Sequence, residues 1–355
     1  MTLIAEARAT SRAPEALLAH FRDHMLDHGL EVTGALEDTR INNGGTIALL
    51  KLRQGGIDLR IEAPSIDKLA DTKIMVAGHL NGLAEDETLG IVWTGDGAIA
   101  SGDARPHNFR LSRVVSARDI TPRMRRVTIQ GEGFDRFAGE NHHLKILMPQ
   151  GPGEPAWPRL TPSGVPQFDS TVLIRRTYTI RRLDLAAGEM DIDFVLHGDT
   201  SPGPRFALRA QPGDWLGLMG PGGGSVKADG WTLLGGDETA LPAIARGLEA
   251  MPRDAQGLAL IEVADAAEEQ AIDAPPGLPV RWLHRNGAPY GEKLLEAMRG
   301  AEYRPVEQVS AWAACENATA RSIREHWMQE RKLTRGRYRA VGYWRQGAGE
   351  DDEEH

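Results

Sequence analysis

The rhythm of apolar positions changes twice along this chain. In the first stretch Leu17, Leu18, Phe21, Met25 and Leu26 recur at helical spacing, which predicts a helix near 13–28 that Thr10 or Ser11 can cap. Asn42-Asn-Gly-Gly45 is a hairpin signal between two apolar runs, Gly55-Gly56 is a second, and another helix is expected near 65–83. From about residue 110 the pattern turns β-rich, with runs at 111–118, 125–130, 143–148, 173–181 and 190–197. From 231 onward strands and helices alternate. Strands are expected at 231–235, 257–263, 280–284, 308–313 and 337–344, and helices at 239–251, 290–299 and 317–330. Such alternation predicts a parallel, doubly wound sheet.

The domain organisation follows from these changes. Residues 1–95 read as a small α/β domain of unknown role, and 96–109, with Gly97, Gly102 and Pro106, as a linker. Residues 110–227 read as an antiparallel β-barrel and 228–347 as the doubly wound lobe. The Pro- and Gly-rich stretch 149–166 is a long loop, a class that is usually functional or mobile. The fold class expected is therefore multidomain, β-barrel plus α/β, behind a small α/β unit.

Composition narrows the function. A chain of 355 residues with 41% apolar residues has material for two or three cores. The net charge is −9, and Glu350-Asp-Asp-Glu-Glu354 belongs to an acidic tail, 348–355, expected to be disordered. Without a basic block the chain is a poor nucleic-acid binder. No apolar run is long enough to span a bilayer, and MTLIAEARATSRAP does not read as a secretory leader. With Cys315 as the single cysteine, no internal disulfide is possible and the cytoplasm is the expected compartment.

Two motifs carry chemistry. In Arg175-Arg-Thr-Tyr-Thr-Ile-Arg181, the strand period places Arg176 and Tyr178 on one face. A guanidinium matches a pyrophosphate bidentately, a tyrosine ring can lie on an isoalloxazine, Thr179 can hydrogen-bond near the reactive flavin nitrogen, and Arg181 adds a donor. A basic strand with a structural tyrosine would read the same way. His197 follows, a lone histidine that fits a hydrogen-bonded core position as well as a cofactor contact. Pro204 is then the expected first helical residue, beside Arg205, with free amides aimed at a phosphate. Gly220, Gly222, Gly223 and Gly224 allow close approach of a cofactor. The second motif, Gly236-Asp237-Glu238-Thr239-Ala240, joins a strand to a helix, the context of dinucleotide binding, although Asp237 or Thr239 also reads as a helix cap. Cys315 and Glu316 end a later strand in the same geometry, Cys315 reading as a packed residue before a nucleophile.

Together these residues resemble the siderophore-interacting proteins, flavin-dependent ferric-siderophore reductases related to ferredoxin–NADP reductases. The resemblance runs from about Arg110 to Gly347. It rests on Arg176-x-Tyr-Thr-x-Arg181, His197, Pro212-Gly-Asp214, Gly220-Pro221, Gly236-Asp-Glu-Thr-Ala-Leu-Pro242, Trp312-Ala-Ala-x-Glu316 and Gly342-Tyr-Trp-Arg345. It implies FAD in the barrel, NADH or NADPH in the lobe, and a ferric siderophore or other ferric chelate as substrate. No protein nucleophile or metal-ligand cluster is expected, and none of the chain's own residues is assigned as catalytic; Thr179 lies near the flavin. Lys145, Arg175 and Arg345 are candidates for meeting an anionic chelate. The chain departs from the family at Ser201-Pro-Gly-Pro-Arg-Phe-Ala207, where Pro204 lacks the hydroxyl expected to face the pyrophosphate, and at Cys315, where glycine is usual. Residues 8–95 resemble a small uncharacterised domain found alone or fused to such reductases, whose pattern His24 and His79 fit. The rival readings are a flavin reductase serving a small redox protein such as a ferredoxin, and a non-enzymatic siderophore or flavin carrier. The acids of Ala264-Asp-Ala-Ala-Glu-Glu269 would repel a 2′-phosphate and favour NADH.

Overall fold

The computed structural model describes residues 2–347 apart from 29, 85, 99–103, 197–200, 224, 225, 227–229, 305–307 and 335. His197, Gly224 and the acidic tail lie outside the described residues. The chain forms two compact units, one of residues 1–109 with 154–173, the other of 110–153 with 174–355.

The N-terminal unit is an antiparallel sheet carrying two helices. Its strands are β1 (Leu3–Thr10), β2 (Glu31–Thr33), β3 (Asp38–Asn43), β4 (Thr46–Arg53), β5 (Gly56–Ala63) and β6 (Thr94–Gly95), in the order β2-β3-β4-β5-β1-β6. The β3–β4 turn needs left-handed backbone at both central positions, and Gly44 and Gly45 supply it with φ of 57° and 87°. Helix α1 (Pro14–Asp27) buries Leu17, Leu18, Phe21 and Met25 against the sheet, whereas Leu26 is exposed. Its boundary residue is Ala13, not Thr10 or Ser11; Ser11 contributes from outside, its hydroxyl accepting the Ala13 N–H at 3.2 Å. Helix α2 (Ile66–Leu83) is capped by Ser65, which accepts the Lys68 N–H. The strand β1 was not expected from the sequence. Segment 154–173, which holds most of the loop expected at 149–166 within the barrel domain, belongs to this unit: the Trp93 indole donates to the Ser163 carbonyl at 2.8 Å, and Val165 packs on the N-terminal core. A hairpin of β10 (Arg159–Leu160) and β11 (Pro166–Gln167) shapes it. The unit also gathers His24, His28 and His79, where the sequence had suggested no metal-ligand cluster.

The second unit opens with a closed barrel. Its strands are β7 (Phe109–Thr121), β8 (Met124–Gly131), β9 (His143–Pro149), β12 (Leu173–Asp184), β13 (Glu189–Val195) and β14 (Trp215–Gly222), in the order β12-β13-β8-β7-β14-β9. Val127, Ile129, Ile146, Ile180, Ile192, Phe194 and Leu218 fill it by inward alternation. Helix α3 (Pro202–Arg209) lies between β13 and β14 in the chain.

The lobe is a parallel sheet of β15 (Trp231–Gly236), β16 (Gln256–Val263), β17 (Val280–His284), β18 (Val309–Glu316) and β19 (Tyr338–Trp344), ordered β17-β16-β15-β18-β19. Alternate residues face opposite layers. Leu234, Ala259, Ile261 and Ala314 meet α4 (Leu241–Ala250), while Leu233, Leu260, Ala313 and Cys315 meet α5 (Glu292–Gly300) and α6 (Asn317–Glu325). Burial on both faces explains the near-continuous apolar runs of these strands. The order reverses between β15 and β18, which places a crevice at their carboxyl ends.

Candidate functional site

The barrel and the lobe meet through β12 and α4. Arg181 forms a bidentate ion pair with Glu249 of α4 at 2.6 and 2.7 Å, and Arg246 of the same helix donates to the Ile180 carbonyl at 2.7 Å. Met124 of β8 packs into the core beneath α4. Arg181, read as a second cofactor donor, therefore ties the two halves together, from the bulge between Ile180 and Arg182.

Earlier on β12, Arg176 is half-buried and donates to the Arg175 carbonyl at 2.9 Å. The Tyr178 ring packs on Phe194 with centroids 4.4 Å apart. Its hydroxyl reaches the start of α3 so closely that a Cβ at Gly203 would lie 1.9 Å from it. Helix α3 begins at Pro202, two residues before the expected start, so Pro204 is its third residue. This changes what the helix end can offer. Pro202 and Pro204 have no N–H, and the Arg205 N–H is taken by the Ser201 carbonyl at 3.1 Å. The Gly203 amide is what remains of the first turn, beside a buried Ser201 hydroxyl with no partner among the described residues. A buried orphan hydroxyl at a helix N-terminus is the observation that fits an anionic group there.

The barrel rim brings in two histidines that sequence reasoning missed. The His143 ring accepts from or donates to the Tyr343 hydroxyl at 2.7 Å, joining β9 to β19, and Gly223 packs where a Cβ would come within 2.7 Å of its Nδ1. His142 is buried, and its Nδ1 has no partner among the described residues. Burial, then the Arg246 guanidinium and His143, push its pKa from 6.5 down to about 4. A histidine depressed in this way stabilises the fold above its ordinary pKa, and that contribution is lost as pH falls through the folded value. His142→Gln should therefore gain on the wild type as pH drops from 6.5 towards 4. Thermal unfolding of both proteins across that window measures the gap; parallel curves would assign the pH dependence elsewhere.

At the crevice of the lobe, Gly236 is required by packing: a Cβ there would lie 2.6 Å from the Cβ of Ala240 and 3.0 Å from the Ala314 carbonyl oxygen. Asp237 is buried, and four donors converge on it. Its Oδ1 accepts the Thr239 N–H at 2.9 Å and the Thr239 hydroxyl at 2.5 Å, and its Oδ2 accepts the Glu316 N–H at 3.1 Å and the Trp344 indole at 2.7 Å. Burial pushes its pKa up to about 6, against the hydrogen bonds of Thr239 and Trp344. It fastens the ends of β15, β18 and β19 to one another. Glu316 caps α6 by accepting the N–H groups of Ala318 and Thr319, and Glu238 is held by Arg285. The acids of the second motif are thus committed within the protein. Cys315 faces the α5–α6 core, where burial pushes its thiol far up, and does not crowd the crevice.

The acids after β16 divide. Glu268 is buried and accepts from the Thr121 hydroxyl at 2.6 Å and the Arg123 N–H at 3.2 Å. It therefore faces the barrel instead of the open end of β16. Asp265 caps a 3-10 turn through the Ala267 N–H, and Glu269 bonds the His284 ring at 2.8 Å. Of the substrate candidates, Lys145 donates to the Thr177 hydroxyl at 2.6 Å, Arg175 is half-buried on the neighbouring strand, and Arg345 is exposed beyond β19.

Comparison with known proteins matches this architecture segment by segment. Residues 113–225 match the siderophore-interacting FAD-binding domain, 229–347 match the siderophore-interacting protein family, and 6–94 match an uncharacterized protein family conserved in bacteria. Ferric vibriobactin reductase ViuB of Vibrio cholerae is 32% identical over 261 residues, 68% of this chain and 91% of ViuB. The chain belongs to the siderophore-interacting protein family. The crystal structure of a siderophore utilization protein from T. fusca aligns with a TM-score of 0.61 at 42% identity, covering 71% of this chain and 98% of that one. The NADPH-dependent ferric-chelate reductase of Escherichia coli is 28% identical, over 66% of this chain and 92% of its own. A FAD-binding barrel followed by a nicotinamide-binding lobe is the architecture of a FAD-dependent oxidoreductase. Among the described residues no helix is long and apolar enough to cross a membrane.

Proposed function

We propose that this protein is a ferric-siderophore reductase that holds FAD in the barrel and takes electrons from NAD(P)H in the lobe. The carrying observation is the joined barrel and lobe of one unit, fastened by Arg181–Glu249, in a member of the siderophore-interacting family. Bound FAD supplies an acceptor for two electrons as hydride that can release them singly, as iron requires. Arg176 would meet the pyrophosphate, Tyr178 and Thr179 would border the ring system, and the Gly203 amide with the Ser201 hydroxyl would receive a phosphate oxygen. Gly220, Gly222 and Gly223 leave the β14 end bare for close approach. In the lobe, the turn at Thr239 and Ala240 would receive the dinucleotide, with Asp237 and Glu316 shaping the crevice.

The substrate follows from coordination chemistry. Siderophores hold Fe3+ through hard oxygen donors, and the less charged Fe2+ is held more weakly, so reduction releases the metal. Lys145 and Arg175, on adjacent barrel strands, are suited to drawing in an anionic chelate. Titrating the yellow protein with NADH without air should bleach the flavin band, and adding a ferric chelate should restore it with release of Fe2+. Bleaching without reoxidation by any ferric chelate would reject the proposed substrate.

We infer a preference for NADH over NADPH, with Asp265 as the main source of repulsion towards a 2′-phosphate. Because Glu268 is withdrawn into the barrel contact, the expected preference is modest, about three- to tenfold in kcat/KM, or about 0.7–1.4 kcal/mol. Asp265→Arg should move the ratio towards NADPH. A wild-type preference for NADPH, as in the name of the E. coli relative, would overturn this reading.

A further inference from the structure

The N-terminal unit carries a group of side chains that the reductase chemistry does not use. His24 lies in the last turn of α1, His28 caps that helix, and His79 stands on α2, which packs against α1. His24 Nε2 and His79 Nδ1 are 3.0 Å apart. The His28 ring centroid is 4.5 Å from that of His24 and 5.2 Å from that of His79. One ring nitrogen from each residue lies within 4.8 Å of the other two.

Core packing does not require this arrangement. His28 is exposed, and a single His–His hydrogen bond would leave it no reason to join the pair. A shared ligand would. Two imidazoles bound at about 2.0–2.1 Å to a tetrahedral metal ion have their nitrogens about 3.3 Å apart, so His24 and His79 stand within a few tenths of an ångström of that geometry. The i, i+4 spacing of His24 and His28 brings two rings to one helix face. Imidazole donors select zinc, copper, nickel or ferrous iron over calcium and magnesium, which take oxygen.

We propose that His24, His28 and His79 form a binding site for one divalent first-row transition-metal ion, with the remaining coordination open to water on the His28 side. The site is independent of the barrel and the lobe, and its existence does not rest on the reductase reading.

The test uses the full-length protein without an affinity tag, freed of metal by chelation. Co2+ is titrated and followed by its visible ligand-field absorption. One equivalent should bind, Zn2+ should displace it, and anaerobic Fe2+ should displace it only at higher concentration than Zn2+, the order imidazole sites impose. His28→Ala, a change at an exposed position, should weaken Co2+ binding at least tenfold, and His24→Ala with His79→Ala should abolish it. His20→Ala, one turn earlier on α1, should have no effect. Flavin absorbance and thermal unfolding of each variant separate loss of ligands from loss of fold. The proposal is overturned if the wild type binds no stoichiometric Co2+, if Mg2+ displaces Co2+ as readily as Zn2+ does, or if the folded His28→Ala protein binds Co2+ with unchanged affinity.

Discussion

Replacing Arg285 with alanine should lower stability by about 3–5 kcal/mol, because it leaves buried carboxylates without their counter-ion. Arg285 is 6% exposed and forms a bidentate pair with Glu238, one contact being 2.9 Å. Its Nη1 also stands 3.4 Å from Glu262, which is fully buried. Glu262 in turn accepts the Gly291 N–H at 2.8 Å and the Leu294 N–H at 2.9 Å, fixing the start of α5. The guanidinium lies over the Tyr290 ring, 4.3 Å from its centroid, and Tyr290 contacts Trp344 edge-on. One cation thus joins the ends of β15 and β16, α5 and the aromatic end of β19. Arg285→Lys keeps the charge but not the fork, and should lose about half as much. Denaturant unfolding measures both. If Arg285→Ala unfolds with the wild-type midpoint, the network is an exposed ion pair in solution and the buried arrangement is wrong.

Local signals made most of the lobe legible. The central strands β15, β16 and β18 are buried on both faces, so their apolar runs stand out against the helices, and all five strands fall within a few residues of the expected positions. The barrel strands were readable for a different reason, their period of two. What escaped depends on partners distant in sequence. Glu268 is among the acids expected to repel a 2′-phosphate, but its partner is Thr121, 147 residues earlier. Arg181 belonged to an attractive basic motif until Glu249 claimed it from α4. Segment 154–173 carries loop-forming residues, and nothing local indicates that Val165 and Trp157 are packed within the N-terminal unit. Strand β1 lacked a turn signal before it and mixes charge with small residues, so its place between β5 and β6 shows only in its pairing and in the burial of Ala5 and Ala9. The three histidines show the same limit: His24 and His28 are one turn apart, but His79 reaches them only through helix packing.

The second large effect concerns FAD. Arg176→Ala should weaken FAD binding ten- to a hundredfold, the loss of about 1.5–3 kcal/mol expected when a charge-assisted contact is removed. The position matters more here than in a helix-led phosphate site. Prolines at the first and third positions of α3 remove two donors, and among the described residues the Gly203 amide is the remaining donor of its first turn. With the helix contribution reduced, the guanidinium carries a larger share of the pyrophosphate charge. Arg176→Lys should bind at an intermediate level, since an ammonium keeps the charge but cannot present two parallel donors. Quenching of free FAD fluorescence on titration into the flavin-free protein gives the affinities, and circular dichroism of each variant checks that the barrel is intact. The complementary substitution, Pro204→Ser, restores an amide and a hydroxyl to the helix start and should tighten FAD binding severalfold. Unchanged affinity in a folded Arg176→Ala protein would remove β12 from the flavin site, and the Ser201–Gly203 turn would then have to hold the phosphates without it.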